Sequence, residues 1–209
     1  MKFCSLGSFC YSAQLLRRNN LREESNPFDW LFSNIEMVKH CIEDDFKSFL
    51  DKSHYYLVEP YEGSTEMRCN HRLYSLNDDY NPVFNHHNPL ENDDHYQHFV
   101  RSVDRFKNIL KSDQKKVFVY INRPNDDRNF EDILVEALQF TEFLNKHVNN
   151  YTLVTICQSV GELQHSIIKG NNLVFIRLSC SFNTGTEYKD NSHDTYLDNV
   201  FKEVINDIR

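Results

Sequence analysis

Three short runs of almost unbroken apolar residues constrain the fold of this chain more than any other feature: Lys116–Asn122 (KVFVYIN), Thr152–Cys157 (TLVTIC) and Leu173–Leu178 (LVFIRL). A strand that is apolar on both faces has to be covered on both, as in a parallel sheet packed between helices. The neighbouring segments supply helices. Phe130–Val148 is amphipathic, Thr195–Ile208 reads as helix, and Asp94–Leu110 carries Phe99, Val103, Phe106 and Leu110 at helical spacing. Near the N-terminus a shorter apolar run, Phe3–Leu6, stops at Gly7 and is followed by a helix over Tyr11–Arg18 with Leu15 and Leu16 facing inward. Strands alternating with helices imply right-handed crossovers. The expected architecture is therefore α/β in three layers, a mostly parallel sheet of about four to five strands with helices on both faces.

Smaller elements are read from local signals. Ser33-Asn34-Ile35-Glu36 has the form of a capping box ahead of Ile35, Val38 and Ile42. Ser159-Val160-Gly161-Glu162 is expected to open a short helix. Residues 51–92 read as an irregular insertion rich in Tyr, Asn and His, with a hairpin strand at Arg72–Leu76. Only five Gly and five Pro occur and no Gly/Ser linker divides the chain, so residues 1–209 are expected to form one domain.

Composition removes several function classes. A chain of 209 residues with 40% hydrophobic residues can bury a substantial core. Its 23 basic and 31 acidic residues give a net charge of −8, the wrong sign for a general nucleic-acid binder or for docking on anionic membranes. No stretch approaches the roughly 20 apolar residues of a membrane span. The opening MKFCSLGSFC turns polar too soon for a secretory signal, and Arg17 and Arg18 follow, so a cytoplasmic location is expected, in the host if the protein is viral. The six cysteines are dispersed without a C-x-x-C pair, which argues against a zinc ribbon or redox motif and for free thiols in a reducing compartment.

In open α/β sheets, ligands collect beyond the carboxyl ends of the strands. Gly7-Ser8-Phe9-Cys10, then Asn122 and Arg123, then Cys157 and Gln158, and Arg177 all fall near such ends. Cys10 stands out because it lies where a strand passes through a Gly-containing turn into a helix. Unpaired N–H groups and the dipole at a helix N-terminus favour an anion, so a thiol there should ionise more readily than a free one of pKa about 8.5. The N–H groups of Gly7 and Ser8 could cradle an oxyanion. The competing reading is an inert, packed cysteine.

A nucleophile needs a base. His86 and His87 lie in a loop ahead of a helix; His193 and Asp194 precede the final helix and could supply a dyad or triad partner. His86 and His87 with Asp93, Asp94, His95 and His98 do not have a metal-ligand spacing, and no metal is expected. Asp29, beside the only Trp (Trp30), either pairs with Arg17 or Arg22 or orients substrate or the base. Arg123 and Arg177 could bind an anionic group, a carboxylate or a coenzyme phosphate.

The strings Ser5-Leu6-Gly7-Ser8-Phe9-Cys10, Leu16 with Leu21-Arg22, and Ser25-Asn26-Pro27-Phe28-Asp29-Trp30 together resemble the papain-like cysteine peptidase family of bacteria and large DNA viruses, which began as a domain of unknown function. Phe84-Asn85-His86, Arg105-Phe106 and the strand Val117–Ile121 are similar to its later layout. The resemblance implies Cys10 as nucleophile and His86 as base, with His87 where many members carry an acid and Asp29 in the PFDW segment. It also implies kinship with Cys–His acyltransferases of capsule polysaccharides that bind coenzyme A. Cys–His acyl transfer or hydrolysis on an acyl, peptide or glycan substrate is the resulting expectation, with Trp30, Arg123 and Arg177 as substrate contacts. Hydrolysis needs no cofactor; transfer would use coenzyme A. A non-catalytic binding module, with the aromatic-rich residues 55–80 as contact surface, is the alternative.

Overall fold

The computed structural model describes residues 1–75, 81–122 and 128–208. β1 (Lys2–Ser5) turns at its carboxyl end into α1 (Cys10–Arg18). α2 (Ile35–Glu43), the one-turn α3 (Lys47–Leu50) and a 3₁₀ turn (Lys52–His54) lead to an antiparallel pair, β2 (Tyr55–Val58) and β3 (Arg68–His71). Then come α4 (Asp93–Lys111), β4 (Lys116–Ile121), α5 (Phe130–His147), β5 (Tyr151–Val160), β6 (Gln164–Gly170), β7 (Leu173–Cys180) and α6 (Ser192–Asp207).

The main sheet has five strands in the order β1-β4-β5-β7-β6, and only the edge strand β6 runs antiparallel to its neighbour. Successive side chains of a strand point to opposite faces. Accordingly Val117, Val119 and Ile121 share one apolar cluster with Leu15 and Leu16 of α1 and Leu197 and Phe201 of α6. Phe118 and Tyr120 belong to the other, with Val38 of α2, Phe106 of α4 and Phe140 of α5. The result is the expected three-layer α/β arrangement. Every residue of β4 is buried, Lys116 included; its amine donates to the carbonyls of Ser112 at 2.5 Å and Asn149 at 2.8 Å, which replace water around the charge. No helix among the described residues is long and apolar enough to cross a membrane. The six cysteines are buried and form no disulfide.

Three local expectations are corrected. Ser159–Glu162 does not start a helix: β5 continues to Val160, and the chain turns at Gly161 to run back as β6. The Gly161 N–H donates to the Cys180 carbonyl at 2.9 Å, and a Cβ there would lie 2.5 Å from Ser179 Oγ. β6 gave no period-two signal because it is exposed along almost its whole length, with its two isoleucines adjacent. The hairpin strand is Arg68–His71, not Arg72–Leu76; the N–H groups of Tyr74 and Ser75 both fold back onto the His71 carbonyl, and Leu76 lies outside the described residues. α2 is capped by Asn34, whose side chain accepts from Met37 N at 2.8 Å, rather than by Ser33. Ser33 is engaged in the turn after β1.

His71, fully buried in β3, ties stability to pH. Its Nε2–H donates to the Ser48 carbonyl at 3.0 Å, and its Nδ1 accepts from Leu73 N at 3.2 Å. Both nitrogens are served only in the neutral ring, and burial lowers the pKa from 6.5 to about 4. His87, discussed below, is likewise lowered to about 4 by burial. For a group depressed on folding, the native preference for the neutral form is complete above about 6.5 and is lost as pH falls toward 4. Each ring is expected to cost about 3 kcal/mol by pH 4. Urea unfolding at pH 7 and pH 4 should show this loss, with a smaller difference for His71→Gln. Equal pH dependence in the two chains would contradict it.

Candidate active site

The Leu6 N–H still bonds to Val119 O at 2.9 Å, extending the ladder with β4, and the chain then reverses through Gly7 and Ser8, both left-handed at φ +80° and +77°. Glycine is required at the first of these. A Cβ on Gly7 would lie 2.3 Å from Ser33 Oγ and 2.9 Å from the Phe28 carbonyl. Three serines hold the turn. Gly7 N donates to Ser5 Oγ at 3.1 Å and Ser8 N to Ser33 Oγ at 2.8 Å, while the Ser12 hydroxyl meets Ser5 Oγ and the carbonyls of Gly7 and Phe9. Ser8, a non-glycine held at positive φ next to the candidate nucleophile, is the kind of strain found at functional sites.

This bonding corrects one expectation. The N–H groups of Gly7 and Ser8 are consumed inside the turn and cannot serve as oxyanion donors. What remains is the first turn of α1, whose N-cap Phe9 offers no side-chain acceptor. The N–H groups there have no intrahelical partner, that of Cys10 among them.

Cys10 Sγ lies 3.2 Å from His86 Nε2. His86 reaches it because Phe84 is fully buried and bridges to Cys69, with its N–H on the Cys69 carbonyl at 3.2 Å, which pins the loop that carries His86. Neighbouring His87 turns the other way: its ring stacks on His98 at 5.0 Å and meets His95 edge-on at 5.0 Å, and its buried Nδ1 has no hydrogen-bond partner among the described residues. Of the two rings in the loop, His86 alone contacts the sulfur. His86 also lines a cavity of about 580 Å³, together with Tyr61, Glu66, Arg68, Asn85, Glu91 and His95 among others.

The charge state of the pair departs from expectation. Cys10 is 5% exposed, and burial pushes its thiol up to about 11, opposed only in part by its own backbone N–H. Partial burial moves His86 down. Burial thus works against the helix terminus at the thiol and favours the neutral form of both partners.

The other candidate residues lie elsewhere. Asp194 accepts from Tyr11 Oη at 2.6 Å, Arg18 Nη1 at 2.8 Å and Tyr188 N at 3.0 Å, and so fastens α1 to α6 without contacting His86. His193 Nδ1 accepts from Ser181 N at 2.8 Å. Asp29 is buried against Arg22 Nε at 2.8 Å and the Asn26 N–H at 3.0 Å, a pairing with one of the two arginines considered. Trp30 packs under the Arg22 guanidinium, 5.9 Å from ring centroid to Cζ. Arg105 donates to the Ser25 carbonyl at 2.9 Å, and Phe28 meets Phe106 edge-on at 5.6 Å. The segments around Arg22, Ser25–Trp30 and Arg105-Phe106 are therefore one interlocked unit, and its Phe28 carbonyl and the nearby Ser33 hydroxyl form the wall behind Gly7. Asn122 and Gln158 bond to each other, through Gln158 N to Asn122 Oδ1 at 2.7 Å and Gln158 Nε2 to Asn122 O at 2.6 Å. Arg177 lies over the Phe130 ring at 4.9 Å and does not line the cavity; Arg123 lies outside the described residues.

Sequence reasoning missed the residues that shape the site most closely. Ser5, Ser12 and Ser33 lock the turn, and Asn85 lies beside His86 with its amide nitrogen 3.3 Å from His86 Nε2. Only the adjacency of Asn85 to His86 could have drawn attention to it.

Over 48 residues the chain is 48% identical to an uncharacterised protein, R408, of Acanthamoeba polyphaga mimivirus; the match spans 22% of each protein. No solved structure matches the chain. Residues 1–160 match the family described as "Putative papain-like cysteine peptidase (DUF1796)", the family to which this chain belongs.

Proposed function

We propose that the chain is a thiol enzyme that cleaves an amide or ester by acyl transfer through Cys10, with His86 as general base. The observation that carries this reading is the 3.2 Å contact between Cys10 Sγ and His86 Nε2 where β1 passes into α1. In the first half-reaction the thiol proton moves to Nε2 as sulfur bonds to the carbonyl carbon, and the carbonyl electrons pass to oxygen. Collapse of this intermediate breaks the bond to the leaving group, which takes the proton from His86. Water then attacks the thioester, His86 accepting its proton, and the acid leaves as the thiol is restored. An acceptor hydroxyl or amine in place of water would make the same site a transferase. The Cys10 N–H at the start of α1 supplies one donor for the oxyanion.

p-Nitrophenyl acetate is a minimal acyl donor for the test. The chain should release nitrophenol and carry an acetyl thioester on Cys10 by peptide mapping, and Cys10→Ala should lose both. Equal turnover by Cys10→Ala would overturn the reading and leave a non-catalytic binding module.

A further inference from the structure

An oxyanion hole ordinarily presents two donors, and in this turn the Gly7 and Ser8 N–H groups are already spent on Ser5 and Ser33. A second donor stands on the His86 loop. The Asn85 side-chain nitrogen can only donate, and it lies 3.3 Å from His86 Nε2, the same ring nitrogen that faces Cys10 Sγ. The orientation of the amide is fixed from the other end, where Tyr61 Oη donates to Asn85 Oδ1. We propose that Asn85 is the side-chain donor to the oxyanion, and that Tyr61 is a positioning residue that keeps its N–H aimed into the site. The inference rests on the Cys10–His86 reading.

Proton bookkeeping gives the arrangement its logic. In the resting site Nε2 carries a lone pair that the Asn85 N–H occupies together with the thiol. Once Nε2 takes the thiol proton it is a donor and can no longer accept. The Asn85 N–H loses its partner at the step in which the carbonyl oxygen gains charge, and Tyr61 prevents the amide from turning away. The donor is thus released to the oxyanion as the oxyanion forms, and returns to Nε2 when the leaving group takes the proton. Such a group favours the transition state over the ground state, the condition for raising rate rather than binding.

Two reagents separate this role from a structural one. Acylation by p-nitrophenyl acetate passes through a tetrahedral oxyanion; alkylation by iodoacetamide uses the same sulfur and base but forms none. Asn85→Ala is expected to slow acylation of Cys10 by about 10²-fold and to change its alkylation by less than about threefold. Tyr61→Phe should lower acylation by about tenfold, again with alkylation retained. Equal losses in both reactions would mean that Asn85 merely supports His86, and no loss in either would mean that it is a bystander; each result overturns the proposal. A wild-type chain that is alkylated at Cys10 yet takes no acetyl group there would instead overturn the dyad reading, and the role of Asn85 with it.

Discussion

His86→Ala is expected to slow acylation of Cys10 by roughly 10³-fold at pH 7, within the range that a positioned general base contributes. This corresponds to about 4 kcal/mol of barrier. The expectation follows from the charge state of the pair. Where a cysteine is held as a thiolate, removing its histidine costs a counter-ion but leaves a nucleophile. Here the thiol is pushed up to about 11 by burial, so without the imidazole almost none of it is ionised near neutrality. His87 should not substitute, because its ring is stacked on His98 and its own pKa is held near 4. Nor should His193, whose Nδ1 is committed to the Ser181 N–H. Acylation kinetics of His86→Ala, His87→Ala and His193→Ala measure this directly. A loss in His87→Ala or His193→Ala as large as in His86→Ala would show that the base has been misassigned.

The second large effect is structural. Gly7→Ala is expected to destabilise the chain by about 3 kcal/mol, combining the cost of a left-handed alanine with overpacking against a neighbour that cannot move. Of the two close atoms, Ser33 Oγ at 2.3 Å belongs to a side chain, but the Phe28 carbonyl at 2.9 Å is backbone within the unit tied by Arg22–Asp29 and Phe28–Phe106. Thermal unfolding should fall by on the order of 10 °C. The double variant Gly7→Ala with Ser33→Gly should recover only part of this, since the carbonyl contact and the positive φ remain. Unfolding temperatures unchanged in Gly7→Ala would refute the close packing of the turn.

The sheet was legible because burial on both faces leaves a mark that few other structures share. KVFVYIN became β4, one residue shorter at Ile121, and TLVTIC and LVFIRL became β5 and β7, each extended by a few residues. β6 was not legible, since an exposed edge strand carries no apolar periodicity, and Gly161 reads equally well in a helix or a turn. Cys10 could be singled out because a Gly-containing turn between strand and helix is a local feature. Its thiol pKa could not be inferred that way: the helix terminus is visible in sequence, whereas the burial that overrides it comes from tertiary packing. Asp194 illustrates the converse error. An acid beside a histidine ahead of a helix looked like a triad member, but its partners, Tyr11 and Arg18, lie on α1, far away in sequence. Much of the family motif likewise proved to be scaffold, with Arg22 paired to Asp29 and bonded to the Ser25 hydroxyl, Asp29 accepting from the Asn26 N–H, and Arg105 donating to the Ser25 carbonyl.

The pH profile of Cys10 alkylation by iodoacetamide, followed by peptide mass spectrometry in wild type and His86→Ala, addresses the neutral dyad most directly. In wild type the rate should rise as His86 deprotonates below pH 6.5 and then level off until the thiol itself begins to ionise, whereas in His86→Ala it should climb steadily toward the thiol's own pKa near 11, leaving wild type at least tenfold faster at pH 7. Superimposable profiles would show that the imidazole does not act on the sulfur, and the dyad would be refuted.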